Sequence, residues 1–128
     1  MPAILNYALH LLLAAILLAV FFKVYTWVTP YDEVLLIRQG NRAAAMSLGG
    51  AMGGFSLTIA SSILHTNDYQ QFFAWAAGAL VVQLLAYLVT TRGLRISREH
   101  IETDNVAFGG LMGTISLCIG AINAACIS

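Results

Sequence analysis

Residues 43–64 read AAAMSLGGAMGGFSLTIASSIL, 22 positions without an Asp, Glu, Lys or Arg. A helix that crosses the hydrocarbon core of a bilayer needs about 20 such residues. Two further stretches meet that requirement, Tyr69–Thr91 and Asn105–Ile127, with 23 residues each. A fourth is built around Leu11–Phe22, apolar throughout but 12 residues long. It reaches full length by extending back through Tyr7 and forward past Lys23 to about Val28. The Lys23 stem can snorkel to the headgroups. Tyr25, Trp27 and Tyr31 then form an interfacial belt. Pro30 stops the helix, and Thr29 before it is biased out of the helical region.

Composition agrees with four spans. Of 128 residues, 59% are hydrophobic and 9% charged, against roughly 25% charged in soluble domains. The expected fold is an all-α membrane protein, one transmembrane domain over residues 1–128. The amino-terminal ten residues contain no Lys or Arg, so the first span reads as a retained helix, not a cleaved signal. Six basic residues and a formal charge of zero argue against a nucleic-acid surface. Cys118 and Cys126 sit roughly 12 Å apart on one helix, too far to pair within it.

Lys23, Arg38 and Arg42 belong to the first connection, and Arg92, Arg95 and Arg98 to the third. In a four-span chain all six lie on one side. The positive-inside rule makes that side cytoplasmic and both termini outward, N-out/C-out. The Leu64–Gln71 connection is a short polar turn with Asn67-Asp68 at its corner. The other two are longer. Asp32-Glu33 precede Val34-Leu35-Leu36-Ile37 and Arg38, and Leu94-Arg95-Ile96-Ser97-Arg98 is amphipathic. Each fits either a surface-lying helix or a loop with its apolar residues tucked under.

The second and fourth spans resemble each other. Gly49–Ile59 aligns with Gly109–Ile119 at an offset of 60, with seven of 11 positions identical. Upstream, Asn41-x-Ala43 matches Asn105-x-Ala107 at an offset of 64. The chain therefore reads as two parallel two-helix repeats, about 5–64 and about 69–127. Their pseudo-two-fold axis lies along the membrane normal, unlike the inverted repeats of many transporters.

Gly49 and Gly53, Gly50 and Gly54, and Gly109 and Gly113 are spaced by four, the small-xxx-small pattern that lets helices touch closely in lipid. Ala45 continues the Gly49–Gly53 face, and Gly120 and Ala124 continue the fourth span in another register. Ser56, Ser116 and Gln83 fall roughly 20, 17 and 12 Å from the cytoplasmic end. A second polar layer of Ser61, Ser62, Asn123 and His65 lies outward of them. Gln83 needs partners in hydrocarbon, from Ser56, Ser116 or a neighbouring subunit. The layer fits hydrogen-bonded glue or the lining of a solute path. No carboxylate or Arg lies within a span, which weakens proton relays, cation-selective rings and voltage sensing. Asn41 and Asn105 stand at equivalent helix starts, where a cap contributes roughly 1 kcal/mol.

Signals for chemistry are weak. Glu99-His100-x-Glu102-x-Asp104 lacks metalloprotease spacing and fits negative charge near the start of the fourth helix. There is no phosphate-binding loop, nucleophile elbow or Cys-x-x-Cys. No catalytic residue, cofactor or metal is expected, and the chain does not read as an enzyme.

The ordered set Thr29-Pro30, Glu33, Leu36-Ile37, Asn41-x-Ala43-Ala44, Phe73-Ala74-Trp75, Val82-Gln83-Leu84-Leu85, Asn105-x-Ala107 and Asn123-Ala124-Ala125-Cys126 resembles the YjfL-like bacterial inner-membrane family. This is domain of unknown function 350, or UPF0719. The resemblance spans about Tyr25 to Ile127. It implies a compact four-helix protein of two hairpins, with Asn41, Gln83, Asn105 and Asn123 as shared residues and no established activity. The Gly-Gly-Ala-Met-Gly-Gly run is more glycine-rich than that family leads one to expect. Gene-order association of the family hints at a cytoplasmic envelope-stress partner. The expected role is a homo-oligomeric structural or interaction protein of the bacterial envelope, in contact with membrane lipid. The alternative is a channel or small-solute or ion transporter whose path forms in the oligomer.

Overall fold

In the computed structural model, residues 3–66, 68–95 and 98–127 are described, the Arg98 side chain excepted. Four long apolar helices run as expected: α1 (Ala3–Val28), α3 (Arg42–His65), α4 (Tyr69–Gly93) and α6 (Val106–Cys126). Each is long and apolar enough to span a bilayer. The first and third connections each hold a short helix, α2 (Glu33–Arg38) and α5 (Arg98–Glu102). The element order is thus long, short, long, twice over. Asn67, the expected turn corner, and Ile96-Ser97 of the amphipathic stretch lie outside the described residues.

Local chemistry sets the helix ends. Thr29 donates its hydroxyl to the Thr26 carbonyl at 3.1 Å, and Pro30 follows. Asp32 caps α2 by accepting from the Leu35 amide at 3.1 Å. Asp68 caps α4 by accepting from the Gln71 amide at 2.7 Å. The exits from α2 and α5 share one pattern. Gly40 has φ +84° and Asp104 φ +59°. The Gly40 amide donates to Ile37 and the Asn41 amide to Leu36, while the Asp104 amide donates to Ile101 and the Asn105 amide to His100. This is the left-handed helix ending, repeated 64 residues apart.

The tightest contact joins α3 and α6, which run parallel. Their backbones touch. A Cβ on Gly50 would overlap the Gly113 carbonyl, and a Cβ on Gly120 would overlap Gly54. A Cβ on Gly109 would fall 2.5 Å from the Ala43 Cα. Gly113 sits against the Met46 carbonyl. Inward, then, face Gly50 and Gly54 of α3 and Gly109, Gly113 and Gly120 of α6. The neighbouring Gly49 and Gly53 take no part in this backbone contact. A Cβ on Gly49 has nothing within 4 Å, and one on Gly53 would meet only the Leu117 side chain at 3.2 Å. The two GxxxG registers of α3 are offset by one residue, roughly 100° around the helix, and only one turns inward.

The α4 helix packs against this pair through Phe72, Ala76, Ala79, Gln83 and Tyr87. The α1 helix is the most loosely held, with Phe21 and Tyr25 its buried residues. Phe21 stacks on Phe55 with centroids 4.4 Å apart, and Tyr25 meets Tyr87 edge-on at 5.5 Å. Toward the other end, His10 lies against Tyr69 at 5.3 Å. Between those clamps an open apolar groove of about 330 Å³ separates α1 from α3. All six basic residues fall at or near the end where α1 and α4 finish and α3 and α6 begin.

Adding a methyl group at the helix contact is expected to separate α3 from α6. Gly50→Ala and Gly120→Ala should each destabilise by about 1–3 kcal/mol, the usual range for overpacking. Gly49→Ala should be near neutral. Denaturation midpoints in a fixed detergent, at matched concentration, check the contrast.

Candidate functional site

Buried polar groups run through the inside of the bundle. Gln83 is 1% exposed, and its Nε2 donates to the Ser116 carbonyl at 3.2 Å. Gly54 makes room for it, since a Cβ there would fall 2.6 Å from Nε2. Ser56, offered above as a partner, turns out to be exposed and donates to the Gly53 carbonyl of its own helix at 2.8 Å. Depth along a helix says nothing about azimuth, and Ser56 faces the α1 groove. Toward the far end, the Thr58 hydroxyl reaches the Gly120 carbonyl at 3.2 Å and Ser61 the Ala124 carbonyl at 2.6 Å. Ser116 is buried and Asn123 half-buried on α6. These bonds run from α3 and α4 to carbonyls of α6, a further tie on the glycine contact.

At the opposite end the two caps differ. Asn105 Oδ1 accepts from the Phe108 amide at 3.4 Å. Asn41 Oδ1 accepts from the Ala44 amide at 2.8 Å, and its Nδ2 donates to the Ile101 carbonyl at 2.7 Å. The tie is returned by Asp104, whose Oδ1 accepts from the Ala43 amide at 2.8 Å. Arg42 lies 3.8 Å from the other Asp104 oxygen. Asn41 is therefore a cap and a clasp between halves of the chain.

Beside this clasp lies a group that the sequence reading missed. Glu33 is 1% exposed. Around it stand Tyr25 from α1, Tyr31 before α2, Tyr87 from α4 and Ser47 from α3. Tyr25 and Tyr31 do not join an interfacial belt. Both are buried, whereas Trp27 is 86% exposed. Both Glu33 oxygens, the Tyr25 and Tyr31 hydroxyls and the Ser47 hydroxyl are buried without a hydrogen bond of good geometry. Burial pushes the Glu33 carboxyl up to about 7, with a smaller opposing effect of the Thr29 hydroxyl. Burial, and next the charge of Glu33, push the Tyr31 hydroxyl upward too. One signal was available. Glu33 shares the i, i+3, i+4 stripe of α2 with Leu36 and Ile37, which are partly buried against the core. A carboxylate on the apolar stripe of a helix faces inward with it.

Among the described residues, no three His, Cys, Asp or Glu gather to hold a metal ion. Cys118 and Cys126 are both free and exposed.

Four long apolar helices, two of them in direct backbone contact, define a multi-pass α-helical membrane protein. The chain belongs to the family described as Domain of Unknown Function (DUF350), whose model matches residues 1–127. It is 29% identical over 128 residues to the UPF0719 inner membrane protein YjfL of Escherichia coli K12, covering all of this chain and 97% of that relative. To the UPF0719 transmembrane protein YshE of Bacillus subtilis strain 168 it is 32% identical over 115 residues, 88% of this chain and 85% of the relative. No solved structure matches.

Two outcomes are expected. Asn41→Ala should cost about 2–3 kcal/mol, as cap and clasp are both lost, and Asn105→Ala about 1 kcal/mol. Asp should substitute at 105. It should fail at 41, where a carboxylate would face the Ile101 carbonyl. Paired denaturation curves check both. The second outcome concerns pH. Folding lifts the Glu33 carboxyl from 4.5 to about 7, so the folded chain holds that proton more tightly. Stability is then full below about 4.5, falls as pH rises to about 7, and levels off above. The loss is on the order of 3 kcal/mol. Glu33→Gln should abolish that slope in low-salt denaturation curves.

Proposed function

We propose that the protein is a non-enzymatic structural or interaction protein of the bacterial inner membrane that self-associates. One observation carries the reading. The α3–α6 pair has two glycine faces, and the protomer covers one of them. The outer face carries Gly49 and Gly110, flanked by Met46, Thr114 and Leu117, and forms an open groove of about 380 Å³ floored by the edge of the Gly50–Gly113 contact. Small residues on an uncovered membrane face permit close approach by a second helix pair. The inner-membrane placement draws on the name of the Escherichia coli relative.

The orientation that fits is N-out/C-out, because the basic residues gather at one end of the bundle and the positive-inside rule assigns that end to the cytoplasm. The repeat reading draws support from the twofold long, short, long order and the matching left-handed exits before Asn41 and Asn105. An envelope-stress partner would meet the cytoplasmic end, where Val34 and Leu35 of α2 are exposed. In the channel alternative, the path would run between copies, since the α3–α6 backbones meet inside the protomer.

Subunit counting in native nanodiscs tests self-association. Wild-type chains are expected as dimers or a small ring. Gly49→Leu should shift them to monomers, and in detergent dilute enough to make both chains monomeric it should leave the denaturation midpoint unaltered, because its Cβ points into open space. A wild-type monomer at every protein-to-lipid ratio would overturn the reading.

A further inference from the structure

The Glu33 cluster is unusual in what it lacks. Five oxygens, from Glu33, Tyr25, Tyr31 and Ser47, are buried together without hydrogen bonds of good geometry. A buried polar group left unpaired costs about 1–3 kcal/mol, so five in one place call for a common partner. The groups that act on Glu33 and its tyrosines are other oxygens: Thr29 on Glu33, Ser47 on Tyr25 and Tyr31, Glu33 on all three tyrosines, and the tyrosines on one another. None of those groups is an Arg, Lys or His. The Tyr25, Tyr31 and Ser47 hydroxyls each carry a donor, yet none meets a Glu33 oxygen with hydrogen-bond geometry, so an ionised carboxylate there has no compensating positive charge.

We propose that the buried oxygen cluster of Glu33, Tyr25, Tyr31 and Ser47 binds a dehydrated alkali-metal cation. Three arguments converge. The donor set is all oxygen, the preference of hard cations and not of zinc or copper. It contains one carboxylate, so a monovalent ion brings the site to neutrality, whereas a divalent ion would leave a buried positive charge. The donors come from α1, the α1–α2 connection, α2 and α3, so the ion ties the loosely held α1 and the first connection to the core. Ser47 lies five residues inside α3, roughly 8 Å from its start, within reach of the cytoplasmic end. Because the ion and the proton compete for one carboxylate, binding weakens on acidification. Among the described residues, the titratable groups facing it are Tyr25, Tyr31 and Tyr87.

The test uses the full chain in nanodiscs. Its thermal midpoint is titrated at pH 8 with NaCl or KCl, with choline chloride holding ionic strength constant. A saturable rise with at least one alkali cation is expected, with none from choline. The apparent Kd should weaken roughly tenfold or more at pH 5.5. Glu33→Gln should abolish the response. If that variant fails to fold, Tyr31→Phe and Ser47→Ala carry the test, each expected to raise the apparent Kd several-fold. Equal midpoints in sodium, potassium and choline would overturn the site. So would a response that persists unchanged in Glu33→Gln, or in both Tyr31→Phe and Ser47→Ala. A shift with pH alone would mean that the cluster holds only a proton, and would overturn it too.

Discussion

The backbone of α3 rests directly on the backbone of α6, and the arrangement depends on the absence of side chains between them. In lipid, helices gain little from apolar burial, because the tails are as apolar as leucine. Close van der Waals contact and interhelical hydrogen bonds must hold them instead. Gly50, Gly54, Gly109, Gly113 and Gly120 make the contact sterically possible. Gln83, Thr58 and Ser61 then reach α6 carbonyls that a wider spacing would put out of range. Gly54 serves both ends, by admitting α6 and by leaving space for the Gln83 amide.

The same contact fixes the end of the bundle where the chemistry gathers. With α3 and α6 parallel and starting together, the start of α3 meets the end of α5. Asn41 can then reach the Ile101 carbonyl and Asp104 the Ala43 amide. That clasp sits at the exit of α2, the helix that carries Glu33 into the bundle. A carboxylate there is expensive to bury, and a fold that keeps it among tyrosines has a group tuned near neutrality at a place that connects four elements.

Much of this architecture is legible in the chain because the bilayer imposes it. Hydrocarbon thickness sets helix length, so α3, α4 and α6 begin and end within about two residues of the charge-free stretches. Asn41 and Asn105 announce helix starts by type and position. Azimuth is harder to read. Glycines spaced by four occur in two adjacent registers of α3, and nothing local says that Gly50 and Gly54, not Gly49 and Gly53, face α6. Ser56 and Ser116 sit at similar depths, yet one faces out and the other in. Glu33 was hidden for a related reason. An acid beside Asp32 in a connection reads as solvated until α2 is seen to fold back on the core.

The central claim is the parallel, in-register contact of α3 with α6, and intramolecular disulfide trapping measures it most directly. In a background lacking Cys118 and Cys126, cysteines would replace Gly53 together with Leu117, and Ser61 together with Ala124; a Cβ on Gly53 meets only the Leu117 side chain, and Ser61 bonds the Ala124 carbonyl. Oxidation in membranes is expected to cross-link each pair within one chain, since both lie where the two helices touch and a disulfide needs Cα atoms within about 7 Å. Failure of both pairs, or efficient trapping of a crossed pair at positions 43 and 124, would contradict the account.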